Sequence, residues 1–232
     1  MLDLNRLKRI LVVAPHADDE TLGAGGTIAK FVREGHQVTV ALMTGLGLEP
    51  HPFMSRQAID GVRAEFRNAM QVLGVRDTLL LDLPTTMLDV TPQHVINRAA
   101  SDVLERVSPD LVLLPFEHDL HRDHEILNYA FRVALRPHLP ANRRRHAVLA
   151  YETATETHLQ SPYLRPSFEP NLWIDISEHI DTKIEALSKF RSQIVPAPGL
   201  RSLETIRALA TWRGGQVGVH AAEAFMALRL VE

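Results

Sequence analysis

The 232-residue sequence contains no cysteine. Disulfides, thiolate metal ligands and a cysteine nucleophile are therefore excluded, and any metal must be held by histidine and carboxylate. The sequence also lacks any apolar stretch near the ~20 residues that span a bilayer. Its first apolar run, Ile10 to Ala14, is too short for a signal-peptide core and is followed at once by acidic residues, so the cytoplasm is the expected location. No excess of one charge sign is present: 25 Lys and Arg face 28 Asp and Glu, for a net charge of -3. Nucleic acid is thus not an expected partner. The one basic cluster, Arg143-Arg144-Arg145, reads as a solvated loop, or else as a contact to a phosphorylated substrate or an oligomer partner. Internal repeats, low-complexity tracts and linkers are absent as well. One domain over residues 1–232 is expected, with a catalytic core at about 8–150 and an extension at about 151–232.

What is present is an ordinary globular balance, 45% apolar and 23% charged, with twelve histidines. Short apolar runs alternate with longer amphipathic ones. Strands are expected at 10–14, 38–43, 79–81 and 111–114, and helices at 23–33, 55–73, 92–107 and 123–135. This alternation predicts an α/β fold, a Rossmann-like, mostly parallel sheet with helices on both faces. The remainder is less regular and reads as a C-terminal capping or extension segment. Strands are expected there at 147–151 and 172–176, and helices at 180–193, 203–212 and 221–230.

Two strand ends carry unusual chemistry. Pro15-His16-Ala17-Asp18-Asp19-Glu20 follows the first strand, and Glu117-His118-Asp119-Leu120-His121-Arg122-Asp123-His124 follows the strand ending at Leu114. Ligands of open parallel sheets bind outside the carboxyl ends of strands. Helix capping accounts for one or two of the acidic residues in the first segment. It does not account for His16 beside them, whereas a cation near all four groups does. Catalytic zinc sites use three protein ligands and keep one position open, a count that two ligands from the first segment and one from the second would meet. Gly23-Ala24-Gly25-Gly26 is a poor dinucleotide fingerprint, because Asp18-Asp19-Glu20 stands where a pyrophosphate would lie. Small residues that let a helix pack closely on the sheet account for it better. A serine hydrolase lacks its G-x-S-x-G elbow, and Ser55 and Ser101 lie within or beside helices.

The first segment resembles the (A/P)-H-P-D-D-E motif of the LmbE-like, or PIG-L, N-acetylglucosaminyl deacetylases, and Asp119 to His124 resembles their D-x-H-x-D-H motif. Arg63-Ala64-Glu65 with Leu73-Gly74-Val75 is similar to the helix between them, and weaker likenesses run on through Lys183 to Leu187 and Ala222 to Phe225. The resemblance implies a zinc-dependent hydrolase that removes the acetyl group from an N-acetylated sugar or glycoconjugate, with metal-bound water as nucleophile. By the same resemblance His16, Asp19 and His124 would bind zinc, or another divalent ion such as iron. Asp18 would be the general base, His121 would stabilise the oxyanion, Asp123 would tune or orient it, and Arg63 would contact the substrate. The resemblance allows a homo-oligomer. Alternatives on the same site are a zinc amidase acting on a thiol-sugar conjugate or an acyl glycoside, and a metal- or sugar-binding homologue without catalysis. A nucleotide-binding α/β protein is disfavoured by the acidic loop. Two positions depart from the pattern: Ala17 replaces the usual proline, and Met43 to Gly47 lacks an acidic residue that many relatives carry after the glycine. Tyr151-Glu152, the 161–170 loop and the 196–201 turn are expected to shape the pocket.

Overall fold

Ile10 to Ala14 lie fully buried with sheet neighbours on both sides, as an unbroken apolar run requires. Around this strand a computed structural model describes residues 7–138 and 146–230. The basic cluster Arg143–Arg145 lies outside the described residues. Five parallel strands, β1 (Arg9–Ala14), β2 (Gln37–Gly45), β3 (Asp77–Pro84), β4 (Leu111–Pro115) and β5 (Ala147–Tyr151), alternate with helices α1 (Asp19–Arg33), α2 (Arg56–Leu73), α3 (Gln93–Val107) and α4 (Arg122–Ala134). After β5 come a short α5 (Ala154–Thr157), β6 (Leu172–Asp175), α6 (Ile180–Leu187), α7 (Leu203–Gly215) and β7 (Ala222–Arg229). The strand order is β3-β2-β1-β4-β5-β7-β6, with β7 antiparallel to both of its neighbours. The α/β class and the mostly parallel sheet read from the sequence are thus present.

Alternating side chains of β1 divide the core. Ile10, Val12 and Ala14 pack with Ile28 and Phe31 of α1 and with Phe66 and Met70 of α2. Leu11 and Val13 pack with Ile96 and Val103 of α3 and with Leu127 and Phe131 of α4. Each such side chain contributes ~1.5–3 kcal/mol when fully buried, so the strand whose end carries His16 is firmly held. The helices start and stop where their chemistry dictates. Ser55 caps α2 by accepting from Ala58 N at 3.1 Å, and Gly74 closes that helix at φ 76°.

One expected element is wrong in kind. Residues 221–230 read as a helix, but Ala222–Arg229 forms β7. Its alanines are good helix formers, but tertiary context readily overrides such propensity. Hydrogen bonding to β5 and β6 on both sides, together with burial of Phe225, outweighs that preference. The glycines of α1 do serve close packing. A Cβ on Gly23 would strike the Tyr151 ring at the end of β5, and one on Gly26 would meet Ile176 at 2.6 Å.

The segment after β5 is braced within itself by a buried charge cluster. Glu152 accepts from Arg213 Nε at 2.8 Å and Nη2 at 2.6 Å, and it also meets His158 Nε2 at 2.7 Å. Burial opposes ionisation of Glu152, but His158 and Arg213 outweigh it and hold its pKa below 4.5. A carboxylate depressed in the folded state stabilises the fold in full above its unfolded pKa. That contribution is lost as pH falls through the lower folded value. The variant Glu152→Gln is therefore expected to lose ~1.5–3 kcal/mol at neutral pH, the worth of a hydrogen bond to a charged group. Urea unfolding of both chains as a function of pH checks this: the deficit should shrink below pH 4.5.

Candidate metal and catalytic site

β1 and β4 are adjacent and parallel, so the two acidic, histidine-bearing segments leave the same edge of the sheet side by side. The chain runs outward from β1 to β3 and then returns to place β4 on the other flank of β1. Their junction is therefore the switch point where open α/β sheets bind ligands. Pro15 carries no N–H to continue the ladder, and its carbonyl accepts from Thr44 Oγ1 of β2 at 2.8 Å. Asp18 then adopts φ 129°, ψ −26°, a conformation rare for a side-chain-bearing residue and costing ~1–3 kcal/mol. His16 N donates to Asp19 Oδ2 at 2.8 Å, and the Asp18 carbonyl accepts from Thr21 N and Leu22 N at 3.0 and 2.8 Å. This tight turn opens α1. On the other side, His121 caps α4, its Nδ1 accepting from Asp123 N at 3.2 Å.

Asp19 Oδ2 lies 3.3 Å from His16 Nδ1 and 3.1 Å from His124 Nε2. The other nitrogen of each ring faces a second carboxylate. His16 Nε2 is 3.0 Å from Asp123 Oδ2, and His124 Nδ1 is 2.8 Å from Asp119 Oδ2. A neutral imidazole that donates to those outer carboxylates presents a lone pair, not a proton, to Asp19. Three electron-rich atoms then converge, and His124 Nε2, 1% exposed at its side chain, has no hydrogen-bond partner. The arrangement calls for positive charge. Burial disfavours both imidazolium forms, yet Asp123 and Asp19 hold His16 up at about 9, and Asp19 and Asp119 raise His124 well above 6.5. A divalent cation would meet the same demand, and the donor set of two imidazoles and one carboxylate suits it. His16, Asp19 and His124 offer ligand atoms within 4.8 Å of one another, as do His16, His121 and Asp123. The second set is the poorer one. Asp123 already accepts from Thr86 N at 2.7 Å, Leu88 N at 3.2 Å and His16, and His121 Nδ1 is occupied by a backbone N–H.

The three consecutive carboxylates do not share one charge state. Burial opposes ionisation of Asp19, but His124 and His16 hold its pKa well below the usual range. Burial and the Asp19 charge push Asp18 up to about 7, against the pull of Arg201. Burial also takes Glu20 up to about 8, where it accepts from Thr21 Oγ1 at 2.6 Å and Asp18 N at 3.3 Å. Asp19 therefore holds its negative charge most firmly of the three. Burial and His16 lower the pKa of His121, so its ring is neutral. With Nδ1 accepting from the backbone, its proton sits on Nε2.

A cavity of about 210 Å³ opens over this cluster, lined by His16, Asp18, Asp19 and His121 on one side. Arg63, Glu156, Gln193 and Arg201 add polar groups to it. Asp18 Oδ2 is buried there without a hydrogen-bond partner, 3.7 Å from Arg201 Nη1. Arg63 is pinned by Nη2 to Leu81 O at 2.5 Å and Asp82 Oδ1 at 2.9 Å, and its Nε is unpartnered. Beside Gly45, where a loop acid is missing, Asp82 of β3 supplies a carboxylate and accepts from Leu46 N at 3.0 Å. Of the segments expected to shape the pocket, the 196–201 turn contributes Arg201. The 161–170 loop does not line the cavity, nor do Tyr151, whose hydroxyl donates to Val13 O, and Glu152. Asp119 was quoted in the sequence without a role, although a carboxylate five residues before a candidate ligand histidine is a signal for its orienting partner. Gln193 and Glu156 carried no pattern tying them to residues 16–19.

The sequence profile described as PIG-L, GlcNAc-PI de-N-acetylase, matches residues 11–135. A Bacillus cereus protein named "Probable N-acetyl-alpha-D-glucosaminyl L-malate deacetylase 2" is 30% identical over 194 residues, spanning 80% of this chain and 84% of its own. The diacetylchitobiose deacetylase of Thermococcus kodakarensis is 26% identical over 196 residues, spanning 82% of this chain and 71% of its own. The crystal structure of a conserved protein from Thermus thermophilus superposes with a TM-score of 0.76 at 27% identity, covering 100% of this chain and 97% of that one. The profile spans more than half of the chain and takes in every residue of the His16–Asp19–His124 cluster together with the Asp119 and Asp123 carboxylates behind it. This chain belongs to the PIG-L family.

Proposed function

We infer that this chain is a zinc-dependent hydrolase that removes the N-acetyl group from an N-acetylated amino sugar or its conjugate. One observation carries the reading: imidazole nitrogens of His16 and His124 converge on Asp19, beside Asp18, a cavity-lining residue whose buried Oδ2 has no hydrogen-bond partner. Two relatives named as deacetylases of acetylated glucosyl compounds support the substrate class. The cavity is smaller than the ~300–1,000 Å³ of clefts for drug-sized ligands. One acetamido sugar ring suits it, with any conjugated group projecting outward.

His16, Asp19 and His124 would hold the ion, with Asp123 and Asp119 fixing the two histidine rings. A bound zinc ion supplies a water of lowered pKa and polarises the amide carbonyl. Asp18 accepts the proton of the attacking water and returns it to the departing amine, a cycle that needs a carboxylate outside the ligand set. The strained turn keeps Asp18 apart from Asp19 although the two are adjacent in sequence. His121 donates from Nε2 to the oxygen on which negative charge develops, and Asp123, through its backbone N–H, fixes the tautomer that does so. Arg63 offers its free Nε to a substrate hydroxyl or carbonyl.

The test is acetate release from N-acetylglucosamine and its short conjugates, before and after chelation. Release that chelation abolishes and zinc restores is expected; zinc uptake without release from any acetylated sugar would move the reading to another amide. Asp18→Asn is expected to keep its zinc by metal analysis while kcat falls ~10²–10⁴-fold, the usual share of a general base. Normal kcat in that variant would remove Asp18 from the role.

A further inference from the structure

Helix α1 is broken just after the turn that carries Asp19. Ala24, at φ −138° and ψ 15°, is non-helical, and the helix continues beyond it in a new direction. In an unbroken helix the Leu22 carbonyl accepts from Gly26 N–H and the Gly23 carbonyl from Thr27 N–H. Here Leu22 O accepts from Lys183 Nζ at 2.7 Å, while Gly26 N and Thr27 N donate to the two carboxylate oxygens of Glu223 at 2.9 and 2.7 Å. Lys183 and Glu223 also meet each other at 2.5 Å, and their side chains are 4% and 3% exposed. The ion pair therefore stands inside the hydrogen-bond ladder of α1. Insertion of a side chain into that ladder is a recognised cause of a kink.

The partners come from far along the chain, Lys183 from α6 and Glu223 from β7. Both approach where α1 has no side chains: a Cβ on Gly25 would meet Lys183 Cγ at 3.2 Å. Glu223 sits at the N-terminus of the second half of the helix, where a carboxylate is favoured by free N–H groups and by the helix dipole. Lys183 grips the last carbonyl of the first half, in the turn closed by Asp18 O with Leu22 N at 2.8 Å. A buried ion pair adds little net stability over apolar side chains of the same size, because desolvation offsets its attraction. Its placement here instead fixes the angle at which the Asp18–Leu22 turn meets the end of β1.

We propose that Lys183 and Glu223 are positioning residues for the metal site, holding the broken α1 so that Asp19 stands between His16 and His124. The proposal rests on the metal reading above. Without the pair, Leu22 O and Gly26 N bond to each other, α1 straightens, and Asp19 leaves its place between the two imidazoles.

The experiment is a titration of the metal-free chain with Co²⁺, read by visible absorption, for wild type, Glu223→Gln and Glu152→Gln, with thermal melts of each. Glu152 serves as control because its carboxylate, equally buried in an ion pair, bonds Arg213 and His158 rather than the α1 backbone. The expected result is at least a tenfold loss of Co²⁺ affinity and an altered spectrum in E223Q, with E152Q binding as wild type despite a comparable fall in Tm. Should E223Q not fold, the double variant K183M/E223M keeps the packing without the polar groups, and the same loss is expected. Wild-type affinity and spectrum in either variant would overturn the proposal. A wild-type chain that takes up no Co²⁺ would defeat the metal reading and this proposal together.

Discussion

Asp19 Oδ2 has imidazole nitrogens about 3 Å away on two sides, and each imidazole has a second carboxylate behind it. Asp123 and Asp119 each face the outer nitrogen of one ring, so a neutral ring that donates to them turns its lone pair inward. Such an assembly is stable only with positive charge at its middle, supplied by protons on the rings or by a metal ion. Three carboxylates and two imidazoles packed together would otherwise be among the costliest features of the molecule. The rest of the fold can be read as the means of keeping this cluster assembled. β1 and β4 lie side by side to bring its halves together, the strained turn at Asp18 sets the candidate base beside the candidate ligand Asp19, and the α4 N-terminus fixes His121.

The two parts of the chain contribute differently. Residues 11–135, the stretch the family shares, supply the candidate ligands, the candidate base and the carboxylates behind them. The remainder adds β6 and β7 to the sheet, completes the cavity wall with Glu156, Gln193 and Arg201, and threads Lys183 and Glu223 into α1. The wall residues come from the short α5 and from turns outside the sheet.

Much of this was legible in the sequence for physical reasons. A strand buried on both faces must be apolar throughout, so β1 and β4 announced themselves, and parallel strands put their chemistry at one edge. The density of His and Asp in 16–20 and 118–124 then marked the place. The resemblance divided those residues into ligands and base, a step that spacing alone left open. Other features were hidden. β7 was read as a helix because Ala222 to Arg229 has helical propensity, and only pairing with two distant strands reverses it. Tyr151 and Glu152 were expected at the pocket but serve as a strand-to-strand tie and a buried ion pair. The break in α1 left a trace in Gly25-Gly26, but its cause lies far along the chain at Lys183 and Glu223, and no local pattern reports such a contact.

The most direct test of the central claim is an anomalous difference map at the zinc edge, from crystals of the chain grown with zinc. The account predicts one peak within coordination distance, ~2.0–2.2 Å, of His16, Asp19 and His124, with Asp18 outside that shell. No peak at this position, or a peak held by His16, His121 and Asp123 instead, would contradict it.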